Sequence, residues 1–88
     1  MSGEKYLAVI MVMGSGSLAR DSNRDKAIAR VKRIFKSDFR GILKMTPGSP
    51  VVINICECEG RSVEWDDSGF RDSETGESLA HTVEYSTF

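Results

Sequence analysis

Metal-binding and redox side chains are scarce in this 88-residue chain: two cysteines and one histidine. A structural zinc site wants four nitrogen or sulfur ligands, usually in two closely spaced pairs, so Cys56, Cys58 and His81 fall short and no metal site is assigned. The cysteines make no disulfide framework either. Two apart in an extended strand, they share a side about 6–7 Å from each other, at the edge of disulfide reach, and they read as small core residues beside Trp65. His81, between Leu79 and Val83, is expected to be partly buried with a hydrogen-bond partner.

Long apolar runs are also missing. No stretch approaches the roughly 18 residues that mark a membrane span. Residues 1–13 lack the basic flank of a secretory signal, and their apolar part has strand character, so no targeting segment is read and a cytoplasmic protein is expected. Catalytic and cofactor motifs are absent too. The Gly14-Ser15-Gly16-Ser17 stretch follows a strand, yet it lacks the lysine of a phosphate loop and the third glycine of the dinucleotide fingerprint. It also stands about eight residues before the nearest helix start, so it reads as a hairpin connection. No serine or cysteine is marked as a nucleophile by a placed base. The expectation is a non-enzymatic chain with no catalytic residues and no cofactor. No repeat or linker divides it, and residues 1–88 are read as one small domain.

The strongest positive signal is residues 22–37. At about 100° per residue, Ala27, Ile28, Val31, Ile34 and Phe35 fall on one arc and Lys26, Arg30, Lys32, Arg33 and Lys36 on the other, an amphipathic helix with one stripe to bury. Ser22 is the expected N-cap, with Asp25 three positions on. The helix should stop between Ser37 and Arg40, with Gly41 as terminator.

The remainder reads as strands and turns. Residues 5–13 are apolar at nearly every position, which suits a central strand buried on both sides. Residues 17–20 fit either a second strand or a loop, residues 42–45 are a short apolar run of undecided type, and residues 46–50 form a turn. Residues 51–59 and 62–66 suggest a hairpin turning at Gly60-Arg61 in a type II′ geometry, with Cys58 opposite Val63, Glu57 opposite Glu64 and Cys56 opposite Trp65. Short turns are expected at residues 66–69 and 74–77, flanking a short strand at 70–73. Residues 78–86 alternate, which places Leu79, His81, Val83 and Tyr85 on one face. The predicted fold is α+β, with one principal amphipathic helix packed on a mostly antiparallel four- to five-stranded sheet.

Charge is sharply sorted along the chain. Residues 20–40 carry eight Lys/Arg against three Asp, whereas residues 46–88 carry two Arg against nine Asp/Glu. Such sorting bears on partners rather than on fold. The basic helix face (Lys26, Arg30, Lys32, Arg33, Lys36) is the candidate binding surface, for an acidic protein or, as the alternative, for nucleic acid. Glu57, Glu59, Glu64, Asp66 and Asp67 are expected to form an acidic sheet face. Because one helix covers only one side of a sheet, strand residues such as Ile53 and Ile55 need a further cover, which points to a homodimer or another protein partner. The functional expectation is a small interaction or regulatory module that self-associates.

Overall fold

A computed structural model describes residues 4–12, 15–39, 48, 50–66 and 69–87. In chain order the elements are β1 (Tyr6–Val12), β2 (Ser15–Asp21), α1 (Arg24–Phe39), β3 (Pro50–Glu57), β4 (Val63–Asp66), β5 (Gly69–Asp72), β6 (Ser78–Leu79) and β7 (His81–Thr87). The fold is α+β and mostly strand. It has two antiparallel sheets, one of four strands in the order β2-β1-β3-β7 and one of three in the order β4-β5-β6. The four-stranded sheet under the helix is the one expected, and the three-stranded sheet is additional to it.

The apolar run of β1 is explained by its position between β2 and β3. Ala8 and Ile10 point to one side, where they are buried with Ala19 of β2, Val51, Ile53 and Ile55 of β3, and Ala27, Val31 and Phe35 of α1. Leu7 and Val9 point to the other, where they are buried with Cys56, Cys58 and Phe70, and Val63, Trp65 and Leu79 pack around them. The four-stranded sheet is thus covered by α1 on one face and by the small sheet on part of the other. Alternation is lost in β1 because both of its faces are core.

Helix α1 begins one residue later than expected. The N-cap is Asn23: its side-chain oxygen accepts from the Lys26 backbone N–H (3.1 Å) and its carbonyl accepts the first helical bond from Ala27 (3.0 Å). Ser22 instead lies in the turn before it, held because Asp21 Oδ1 accepts from the Asn23 N–H at 3.0 Å. This bond, with Arg30 3.4 Å from the same carboxylate, holds the Asp21 carboxyl below its ordinary pKa. Protonation on acidification removes the contribution. The stripe at Ala27, Val31 and Phe35 is fully buried.

Residues 17–20 belong to β2, whose whole length from Ser15 to Asp21 pairs with β1. Ser15, Gly16 and Ser17 are therefore strand residues, while Gly14 lies outside the described residues. Gly16 is needed there for space, because a Cβ would stand 2.5 Å from the Ile10 carbonyl oxygen.

The expected hairpin between residues 51–59 and 62–66 does not form. A strand has two edges, and those of β3 are taken by β1 and β7, so Cys56 lies opposite Leu7 and His81 rather than Trp65. Beyond β3 the chain clips to the start of β1, with the Cys58 and Glu59 N–H groups on the Lys5 carbonyl and that of Gly60 on Glu4. It then reverses at Glu59-Gly60, both at positive φ, with Arg61 N–H on the Cys58 carbonyl, as a type I′ turn requires. β4 pairs with β5 instead. Glu64 thereby faces Arg71 rather than Glu57, an opposite-charge pair in place of a repulsive one.

The hairpin of β4 and β5 closes with Asp66 opposite Gly69, and the turn at 73–76 is organised by Asp72, whose Oδ1 accepts from the Glu74 and Thr75 N–H groups. The alternating run at 78–86 is two strands. It breaks at Ala80, so that β6 completes the small sheet and β7 becomes an edge of the large one. Residues 42–45 lie outside the described residues. Of 46–50, Gly48 (φ 88°) and Pro50 are described.

Two stability outcomes are expected. Asn23→Ala, which removes the cap, should cost about 1 kcal/mol in chemical unfolding, and Ser22→Ala should cost a small fraction of that. Gly16→Ala should cost about 1–3 kcal/mol, because the new methyl meets backbone of the paired strand that cannot swing aside.

Candidate interaction surface

The register of the large sheet defines a second face, away from α1. One row across it runs Leu18, Val9, Asn54, Val83; next to it Gly16 lies opposite Met11 and Val52 opposite Tyr85, while the row at the other end runs Arg20, Leu7, Cys56, His81. The small sheet packs over Leu7, Val9 and Cys56. It leaves the outer part of the face bare, and the exposed large apolar side chains Leu18 (40%), Val52 (46%), Val83 (44%) and Tyr85 (78%) all lie there. Single exposed apolar residues such as Leu18 are ordinary; three neighbours on adjacent strands, Val52, Val83 and Tyr85, are not. Among the described residues, neither of the two bare rows contains a charged side chain.

Where the bare half meets the small sheet, the two layers enclose a groove of about 250 Å³. Its floor is Val9, Met11 and Asn54 of the large sheet. Trp65 and Phe70, opposite one another on β4 and β5, come from the small one, and His81 closes the side. The His81 ring lies 5.2 Å from that of Phe70, and the histidine is exposed rather than partly buried as expected.

Ile53 and Ile55, expected at an interface, are covered within the chain. Both are buried in the layer between β3 and α1, where Val31 and Phe35 lie, so they offer nothing to a partner. The helix does cover only one face of the sheet, and the residues of β3 it leaves uncovered are the alternate ones, Val52 and Asn54. Their place was readable in principle from the position-by-position alternation of β3 beside that of Val83 and Tyr85.

The five basic residues of α1 divide by their contacts. Arg30 donates to the Arg20 carbonyl at 2.6 Å and reaches Asp21, and half-buried Lys32 donates to Ser86 Oγ at 3.1 Å. Beside them Arg24, not among the five, bonds Glu84 at 3.1 Å. Arg24 and Lys32 tie the helix to β7, and Arg30 ties it to the end of β2. Lys26, Arg33 and Lys36 are exposed, with no hydrogen bond or ion pair to their side chains among the described residues. The acidic residues do not gather on one sheet face. Glu57 is on β3, Glu59 in the turn after it, and Glu64 and Asp66 on β4, where Arg71 lies 4.0 and 3.0 Å from their carboxylates. Asp67 lies outside the described residues.

Cys56 and Cys58 are free thiols, both buried. Burial pushes the Cys56 thiol above its ordinary pKa, with the neighbouring Cys58 adding to the effect. Cys58 Sγ accepts from Arg20 at 3.3 Å. Among the described residues no three His, Cys, Asp or Glu side chains converge as a metal site, and no helix is long and apolar enough to cross a membrane. The chain matches no protein-family model, no curated protein and no solved structure, so the functional argument rests on this surface.

The burial of both thiols has a direct readout. In the native protein at neutral pH, neither cysteine should react with a disulfide reagent on the minutes scale, and both should react at once in denaturant. Rapid labelling of the native chain would show that the layer over Cys56 and Cys58 opens readily.

Proposed function

We propose that the chain is a small non-enzymatic interaction module that self-associates through the bare half of its large sheet. The observation that carries this reading is the cluster of exposed Val52, Val83 and Tyr85 on the adjacent strands β3 and β7, with Leu18 exposed on the same face across β1, in a part of the face whose described residues carry no charge. A second copy suits the face better than a charged partner, because the bare rows offer no charge to pair with. Its shape also favours a copy of itself. The small sheet covers one end and leaves a step, and two copies related by a two-fold axis can lay their bare halves together at the usual sheet spacing of about 10 Å. Each small sheet then stands beyond the end of the other's bare half. A cytoplasmic setting belongs to this reading, in keeping with two unpaired thiols.

The alternative, nucleic-acid binding by the helix, is favoured by one observation, the free charges of Lys26, Arg33 and Lys36. Against it, Arg30 and Lys32 are engaged within the fold, which leaves three cations to neutralise phosphates.

Sedimentation or light scattering from roughly 1 to 500 µM should show a reversible dimer. Tyr85→Lys should weaken it by about 2 kcal/mol, near thirtyfold in Kd, with little change in unfolding because that side chain is already largely in water. A chain that stays monomeric throughout would refute self-association. Salt-sensitive binding to arbitrary duplex DNA, lost when Lys26, Arg33 and Lys36 are changed together to Glu, would favour the alternative.

A further inference from the structure

The groove between the sheets contains a side chain that neither packing nor association explains. Asn54 stands in the middle of β3, on an otherwise apolar stretch of face between Val52 and Cys56 and beside Val9 and Val83. Asparagine is a poor strand former, and an amide on such a face ordinarily finds a partner. The Asn54 carboxamide has no hydrogen bond among the described residues, and it is not sealed away as an unsatisfied buried group. It lines the groove and keeps a donor and an acceptor open to it.

The other lining groups limit what can enter. Val9, Met11, Trp65 and Phe70 give the groove an apolar, partly aromatic lining, and Met11 brings a thioether suited to ring contacts. A purely apolar occupant would strip water from the Asn54 amide and give nothing back, a cost that disfavours it. Of the described lining residues, Asp66 on the rim is engaged by Arg71 at 3.0 Å, so a cationic occupant finds no free counter-charge, and an anionic one meets only the imidazole of His81. At about 250 Å³ the groove falls below the roughly 300 Å³ at which sites for drug-sized ligands begin, so it suits one small ring system. What remains is a neutral, flat ring with an acceptor and a donor side by side on its edge.

We propose that this groove binds the heteroaromatic ring of a nucleobase, presented as a free nucleoside, with Asn54 reading the base edge and Trp65, Phe70 and Met11 packing on the ring. An asparagine carboxamide matches the adjacent donor and acceptor of an adenine edge in a bidentate pair, so adenosine is the first candidate. The site is built within one chain and does not require self-association.

Trp65 is the single tryptophan of the chain, so its fluorescence reports on the groove directly. The four common nucleosides, toluene and a single-stranded oligoadenylate would each be titrated into the full chain. The expected result is saturable quenching by at least one nucleoside below about 10 mM, weakened about tenfold or more in Asn54→Leu, whose fold is checked by its unfolding transition. With the chain at about 1 µM, the dilute end of the association range, Leu18→Lys, outside the groove, should leave quenching unchanged, which separates this site from the dimer reading. Toluene binding as well as the nucleosides, or Asn54→Leu binding like the parent, would reduce the groove to an apolar crevice and overturn the proposal. Absence of quenching by every nucleoside would overturn it as well, and so would binding of the oligonucleotide alone.

Discussion

The structure depends on one constraint: β1 and β3 are apolar on both sides, so the sheet they form must be covered twice. Helix α1 answers the first demand with the stripe at Ala27, Val31 and Phe35. The second is met incompletely by a three-stranded sheet that reaches Leu7, Val9 and Cys56 but not Val52, Val83 or Tyr85. The helix ties, the turn at Asp72 and the clip of Cys58 and Glu59 to Lys5 hold these covers in place. The groove and the bare face both arise where the second cover ends.

How far the fold was legible depended on the kind of pattern. The helix stood out because its stripe and its charged face are set by local spacing, though its cap was displaced by a residue. Asn23 and Ser22 are both good caps, and Asp21 decides between them by bonding the Asn23 N–H. Alternation in residues 78–86 correctly put His81, Val83 and Tyr85 on one side, while the break at Ala80 left no local trace. The misassigned hairpin is the most instructive case. Cys56, Cys58, Val63 and Trp65 do gather, but across the gap between two sheets rather than along one ladder. Periodicity encodes which way a side chain faces and is silent on whether its neighbour is a pairing partner or a packing partner. Competition for the two edges of β3 is decided by β1 and β7, tens of residues away, and no local window contains it.

The same distinction explains the candidate surfaces. The charge pattern drew notice to α1 because charge is visible residue by residue, yet part of that charge serves the fold: Arg30 grips the end of β2 and Lys32 reaches β7. The bare face was hidden because its members come from three strands that meet only in the folded sheet. Ile53 and Ile55 look equivalent to Val52 and Asn54 in a run of apolar residues. Their opposite fates follow from a single-residue phase, which α1 settles by choosing a side.

The placement of β7 also bears on the order in which the molecule is assembled. β3 pairs on one side with β1, made about forty residues earlier, and on the other with β7, the last of the described strands. On the ribosome, β1, β2 and α1 can come together as a unit while one edge of β3 waits for residues 81–87 to emerge. Until then that edge, with Val52 beside it, is an open strand of the kind that recruits other chains. The chain between β3 and β7, folded into a separate small sheet, sets the length of that interval. A brake on translation before β7, or loss of its last turnless stretch, would prolong the exposure of the strand on which both layers rest.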